Sequence, residues 1–471
     1  MEQIKPQDAQ FLYTETADNF NHITLLLNFD GPAEGDKRDV DYGAVIKFLQ
    51  SKLKPHPIFS QRLVRLPAEL DYPYWLEDEE FEPDAHFTVL SLTVPGNWKA
   101  LREEVCYLHS QPMDMRRPLW DITIFTGVNC NGANKNGFTI VIRLHHVAID
   151  GVGMVKLLAS FATPVMDTDE FSQAEVSDIN NVLSWSDVAG RAVKNRFRHS
   201  VNLGRTLLNS RTLVGSSARR YLQTKPSERL RVFPTRFNTS VAGDKIFDVV
   251  SVDLKVLSAL RTLYSGATMN DVILAICAGA LRRYLEKHNE LSANSLVAWI
   301  PVNARGSGES GDTGNNLSAF TAPIYSNIAD PVARLAKIVS ATQNGKSGKS
   351  AAGLLLNVTK NLPATEQYLF ARAINATSAA SSTCNLFVSN VPGPAQPISL
   401  AGHRLESLSG LPPLGEGMGL FIATPSYNGK LYFNVISTAS ILPDIDFFMT
   451  CIQESFSEMQ AKLTAASTEI A

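Results

Sequence analysis

The stretch GFTIVIRLHHVAIDGVGMVKLLASF runs from Gly137 to Phe161. Phe138, Ile140, Ile142 and Leu144 recur at every second position, the period of a strand with one apolar face. The strand therefore ends near His145. Gly151 permits a sharp turn, and the apolar run Met154–Phe161 reads as a helix. Side chains alternate along a strand, so His145 and His146 point to opposite sides. That argues against a pair of equivalent metal ligands. Three readings of the His-His-x3-Asp-Gly pattern stay open on the residues alone. The histidines satisfy local hydrogen bonds and Asp150 caps the next helix. Or histidine and aspartate bind zinc, for which no partner cluster is visible, since the other seven histidines are single and dispersed. Or one histidine is a general base beside a turn that Asp150 fixes.

Short strand and helix signals continue on both sides. Ile23–Phe29 and Leu119–Phe125 read as strands and Ala44–Leu53 as a helix before Pro55. From about Asp244 the alternation resumes. Phe247–Val252, the segment SLVAWIPVN, Asn385–Ser389 and Leu431–Ser437 read as strands, and Met269–Leu285 and Val332–Val339 as helices. Two flanking α/β regions of similar character imply a duplicated unit, although no internal sequence repeat is visible.

Composition is that of an ordinary globular protein: 44% hydrophobic and 19% charged over 471 residues, long enough for two or three domains. Lys plus Arg is 43 and Asp plus Glu is 46, a net charge of 43 − 46 = −3, which gives no reason to expect nucleic-acid binding. The five cysteines are scattered and include no CxxC pair, as expected of reduced thiols in a cytosolic protein. The N-terminus lacks a signal-peptide pattern, and apolar runs such as Val272–Leu281 fall far short of the ~18 residues that span a bilayer. Apparent nucleotide motifs fail on context. GSGESG (Gly306–Gly311) leads into the loop-like DTGNNL, and GKSGKS (Gly345–Ser350) lacks the first P-loop glycine because residue 343 is Gln. No GxSxG elbow is present.

HHVAIDG resembles the HHxxxDG motif of the CoA-dependent, chloramphenicol-acetyltransferase-like acyltransferases. RRPLWDITIF (Arg116–Phe125), ATMNDVILAICAGALRRYL (Ala267–Leu285), IPVNAR (Ile300–Arg305), FVSNVPGP (Phe387–Pro394) and YWLEDEEF (Tyr74–Phe81) resemble blocks of one branch, the bacterial wax ester synthase/diacylglycerol acyltransferases, in that family's order. Nothing between about 160 and 245 aligns. The fold implied is α/β: two chloramphenicol-acetyltransferase-like domains with mixed sheets flanked by helices, joined by a helical linker. The expected division is 1–170, a basic helical connector at 171–243, and 244–471, with the active site in a passage between the halves. His288 and His403 of the second half are not in HxxxD patterns, so one histidine centre is expected.

By the same resemblance, the reaction is transfer of a long-chain fatty acyl group from acyl-CoA to a fatty alcohol or a diacylglycerol. Acyl-CoA is then a substrate, and no cofactor or metal is implied. His146 is the implied general base, with His145 structural. Asp150 turns away from the histidine and pairs with an arginine, for which Arg305 is the candidate, while Gly151 shapes the turn. Asn270 is the implied oxyanion donor, at a helix start where Thr268 and Asp271 have capping-box spacing. Pro118, Leu119 and Trp120 shape the acyl pocket or the core. Asn390 and Gly393 set a strand end and a crossover between halves. Two alternatives share the fold: a condensation-type enzyme that takes a carrier-protein thioester, and a non-catalytic protein that coats lipid inclusions.

Between Arg191 and Arg236 there are twelve Lys or Arg (191, 194, 196, 198, 205, 211, 219, 220, 225, 229, 231, 236) against Glu228 alone. Leu203, Leu207, Leu208 and Val214 are interspersed at near-helical spacing. Docking on an anionic membrane or lipid-inclusion surface, attraction of CoA phosphates, and a solvated linker all fit this pattern. The expected location is cytoplasmic, peripheral to membrane or inclusion.

Overall fold

The computed structural model describes residues 2–30, 40–93, 96–129, 137–149, 151–162, 185–223, 232–241, 243–303, 317–347 and 358–470. Asp150, Arg305, GSGESG and part of GKSGKS lie outside them. In chain order the strands are β1 (Glu2–Gln3), β2 (His22–Phe29), β3 (Gln61–Val64), β4 (Tyr74–Glu77), β5 (Phe87–Ser91), β6 (Trp120–Val128), β7 (Gly137–His145), β8 (Lys245–Asp253), β9 (Val297–Asn303), β10 (Leu317–Pro323), β11 (Leu386–Val391), β12 (Ser399–Leu400), β13 (His403–Leu411), β14 (Phe421–Tyr427) and β15 (Lys430–Thr438). The helices are α1 (Pro6–Tyr13), α2 (Tyr42–Leu53), α3 (Trp98–His109), α4 (Gly151–Ala162), α5 (Trp185–Gln223), α6 (Leu254–Ala259), α7 (Met269–Lys287), α8 (Pro331–Ser347), α9 (Ala364–Ser381) and α10 (Ile445–Ile470).

Among the described residues, one mixed sheet has the order β12-β13-β2-β7-β6-β5 and a second β10-β9-β11-β14-β15-β8, with a small sheet β1-β4-β3 at the side. Every residue of β7 is buried, because the first sheet is covered on both faces. Its even residues Phe138, Ile140, Ile142 and Leu144 pack with Val45 and Leu49 of α2 and with Met154, Leu157 and Phe161 of α4. On the other face, Val141 packs with Leu101 and Val105 of α3 and with Phe247 and Ile436 of the second sheet. Each of these side chains removes roughly 1.5–3 kcal/mol worth of apolar surface from water. The continuous burial fixes the register, since a one-residue slip would exchange Ile142 for Arg143.

Two strands from beyond the expected boundary at residue 244, β12 and β13, join the first sheet. Strand β13 leaves the second half and pairs antiparallel with β2, Leu411 opposite Thr24. Gly393 sits on that path. A Cβ there would lie 2.1 Å from the Ser426 carbonyl oxygen, so only glycine fits. A polar bridge ties the halves elsewhere: the Trp98 indole donates to Asp248 at 2.7 Å, and Arg102 donates to both Asp248 and Asp446. Helix α7 is the centre of the second half, buried without interruption from Asp271 to Leu281. Cys106, Cys277, Cys384 and Cys451 are free thiols and buried. No described helix is long and apolar enough to cross a membrane.

Candidate active site

The two histidines at the end of β7 occupy different environments, as alternation requires. His145 shares a face with Val141 and Arg143 and is 1% exposed. Its backbone N–H donates to Leu119 O at 3.0 Å, while that of His146 donates to Asn21 O at 2.8 Å. The Val147 N–H donates to His145 Nδ1 at 3.1 Å. That nitrogen must therefore be the acceptor, and the ring proton belongs on Nε2. It is directed at Glu15 Oε1, 3.0 Å away. A backbone donor on one side and a carboxylate on the other leave His145 no lone pair for a substrate.

His146 is half-buried. Its ring stacks on Phe11, with centroids 3.8 Å apart and planes 12° from parallel. Burial pushes its pKa down to about 4, and neighbouring His145 adds to the shift. Desolvation disfavours imidazolium, so the ring is neutral at ordinary pH.

The wall holding both histidines comes from the N-terminal segment, which the motif reading did not identify. The Asn21 N–H donates to Glu15 Oε1 at 2.8 Å, and the Asn21 side chain donates to Phe11 O at 2.6 Å and to Thr14 Oγ at 3.0 Å. Phe11, Glu15 and Asn21 thus form one closed network with the His145–His146 peptide. From the second half, α9 adds Arg372, donating to Glu15 O at 3.0 Å, and Asn375, donating to Thr14 O at 2.7 Å. An acidic residue after a short helix was the only local signal for Glu15, and no spacing rule connects it to a histidine 130 positions on.

Behind the site, the histidines expected to be dispersed are not all so. The His22 ring lies 5.7 Å from His145 and 6.3 Å from His109, centroid to centroid. Burial pushes His109 down to about 3, helped by Lys245 and Arg143. Burial also drives His22 well below its ordinary value, with smaller effects from His145 and Arg143. Arg143 donates to Asp121 and to the carbonyls of Leu108 and Gln111 at the end of α3. Among the described residues no group of three or more His, Cys, Asp or Glu is placed to hold a metal.

The remaining sequence candidates fall in three places. Pro118, Leu119 and Trp120 are buried. The Trp120 indole donates to Phe59 O at 2.9 Å and its ring stacks on His86 at 4.4 Å. Asn270 is half-buried in the first turn of α7. Beside it the Thr268–Asp271 capping box is formed, and the second Asp271 oxygen accepts from Thr342 at 2.6 Å. Asn390 pairs with Thr424 across β11 and β14, and Gly393 follows that strand. Gly151 starts α4.

A cleft of about 310 Å³, lined by Thr16, Asp18, Ser240, Val241, Asn375, Ala376 and Glu416, opens between the halves beside the Glu15 segment. A second, of about 740 Å³, has an acidic wall from Asp78 to Glu82 facing Asp114, Arg116 and Arg117. His146 lines neither.

Comparisons with known proteins now bear on this geometry. A Mycobacterium tuberculosis protein that carries the provisional name of a diacylglycerol O-acyltransferase is 28% identical, over 94% of this chain and 87% of its own. The wax ester synthase/diacylglycerol acyltransferase from Marinobacter aquaeolei VT8 shares the fold with a TM-score of 0.68 and 23% identity, over 98% of this chain and all of that one. The starter condensation domain of rhizomide synthetase superposes with a TM-score of 0.55 and 11% identity over 98% of this chain and 95% of its own. The expected two-domain, chloramphenicol-acetyltransferase-like α/β fold is therefore the one observed. The model of the wax ester synthase/diacylglycerol acyltransferase catalytic domain matches residues 4–273, and that of the family's C-terminal domain matches residues 313–460, so the chain belongs to this acyltransferase family.

Proposed function

We propose that the protein is an acyl-CoA-dependent O-acyltransferase that moves a long-chain fatty acyl group to a fatty alcohol, a diacylglycerol or both, with His146 as general base. One observation carries the assignment within the motif: of two adjacent histidines, His145 is buried with both ring nitrogens engaged, whereas His146 is a partly exposed residue. In this reading Nε2 is the nitrogen that takes the proton.

In this reading the acceptor O–H gives its proton to His146 Nε2 as oxygen attacks the thioester carbonyl. The C–S bond breaks as the tetrahedral intermediate collapses, and the imidazolium returns the proton to the leaving CoA sulfur. Such proton transfer contributes about 10²–10⁴-fold. The Asn270 amide serves the oxyanion, at a cost of about 3 kcal/mol when removed. Asp150 is assigned to holding the turn through an ion pair with Arg305, both of them outside the described residues. No acyl-accepting nucleophile stands out, so transfer is direct, within a ternary complex. An acyl-CoA donor agrees with the similarly folded starter condensation domain of rhizomide synthetase, solved in complex with C8-CoA.

The test is CoA-thiol release from palmitoyl-CoA against a panel of long-chain alcohols and diacylglycerols. Turnover that vanishes in His146→Ala and persists in a His145 variant that still folds is expected. No release with free acyl-CoA would favour a carrier-protein thioester, and a trapped acyl-enzyme would contradict direct transfer.

A further inference from the structure

We propose that α5 is a docking surface for an anionic lipid interface, with an apolar stripe entering the acyl boundary and a basic band beside it meeting headgroup phosphates. The helix carries eight Lys or Arg (191, 194, 196, 198, 205, 211, 219, 220) against Asp187 alone. Its inner face is committed to the protein. Val188, Ala192 and His199 are buried, and Asn195 donates to Asp71 at 2.8 Å and to Gln3 at 3.1 Å.

The outer face is apolar. Val193 and Phe197 are 72% and 73% exposed, and Leu207 and Leu208 are 51% and 58% exposed. At about 100° per residue, these four fall within an arc of roughly 100°. Exposed Lys194, Arg198, Arg205 and Arg191 occupy the next roughly 60°, between that stripe and the buried face. Four large apolar side chains in one stripe, flanked by cations that reach back along the helix, are the pattern of an interfacial helix rather than of a solvated linker.

Charge selects the occupant. A neutral lipid surface would not need the basic band, and a CoA phosphate would not need the stripe. A second copy of the helix fits poorly. A coiled-coil seam through Phe197 and Leu207 would place Ser200 and Gly204 at core positions. The inference rests on the surface of α5 and not on the catalytic reading, and its test involves no turnover.

The experiment is co-sedimentation of the full chain with vesicles of phosphatidylcholine alone or with about one-third phosphatidylglycerol, at low and high salt. Wild type should partition onto the anionic vesicles about tenfold or more above the neutral ones, and raising salt should release it. Phe197→Glu with Leu208→Glu should lower partition about tenfold or more, and Lys194→Gln with Arg198→Gln should lower it roughly fivefold per charge on anionic vesicles only. Unchanged circular-dichroism melts keep the variants interpretable, since these side chains are exposed. Equal binding to both vesicles, or full binding by the Phe197→Glu, Leu208→Glu variant, overturns the proposal. So does a wild-type dimer in sedimentation velocity that those two substitutions dissociate, because a second copy would then cover the stripe.

Discussion

Replacing Glu15 separates two roles that its carboxylate combines. Both donors, His145 Nε2–H and Asn21 N–H, converge on the same oxygen, at 3.0 and 2.8 Å. In Glu15→Gln one amide oxygen can accept both, so geometry survives and only charge assistance is lost. A charge-assisted bond contributes about 1.5–3 kcal/mol and a neutral one about 0.5–1.5, so the expected loss is about 1–1.5 kcal/mol per bond and about 2–3 kcal/mol across the pair. In Glu15→Ala both donors lose their acceptor. Each belongs to a buried residue, His145 at 1% and Asn21 at 7% exposure. An unsatisfied buried donor costs about 1–3 kcal/mol, so destabilisation of about 2–6 kcal/mol is expected. Activity should fall further than stability requires, because Asn21 O also holds the His146 N–H. A displacement of about 1 Å at the base costs on the order of 100-fold in rate. Urea unfolding gives the first quantity, and initial rates of thiol release well below the melting temperature give the second. Equal damage from Gln and Ala would show that charge, not acceptor position, matters. An Ala variant with wild-type stability and rate would refute the network.

Phe11→Ala should uncover the His146 ring and raise its pKa from about 4 towards 6.5. The acid limb of kcat/KM should then move up by more than one pH unit, while Phe11→Tyr keeps the wild-type limb; an unmoved limb would remove Phe11 from the base's environment. His109 and His22 are held neutral by burial, so the unfolded chain binds protons that the folded chain does not. Their stabilisation is complete above pH 6.5 and falls at about 1.4 kcal/mol per pH unit each as pH drops towards the folded pKa, about 3 for His109. Urea midpoints at pH 7.5 and 5.0 measure this; a flat dependence would contradict it, and His109→Asn should reduce the slope. Gly393→Ala drives a methyl to 2.1 Å from the Ser426 carbonyl and should destabilise by about 1–3 kcal/mol, visible as a lower melting temperature.

What the sequence made legible follows from the range of each constraint. Strand alternation acts between neighbours, and it placed His145 and His146 on opposite sides with no knowledge of what covers them. The capping box of Thr268 and Asp271 acts over three residues and was equally readable. The helical character of the basic stretch within Trp185–Gln223 was readable from its spacing. Glu15 was not, because its partner lies 130 residues away and a single Glu in TETADN looks like any solvated loop acid. Leu119 shows the same limit from the other side. It read as pocket or core, yet its carbonyl also positions the His145 backbone, a role that any side chain at 119 would allow. Strand β13 escaped notice because HRLESLSGL lacks clean alternation. It borrows its place from β2, whose apolar face is set by β7, so its pairing is decided by topology rather than by its own residues. The catalytic motif is therefore the part of the site that local chemistry specifies. The parts that set its proton affinity, Phe11 above the ring and Glu15 behind its neighbour, are specified only when the N-terminal segment closes over the end of β7. For that reason substitutions at 11 and 15, not within HHxxxDG, separate an account based on the motif alone from one based on the folded site.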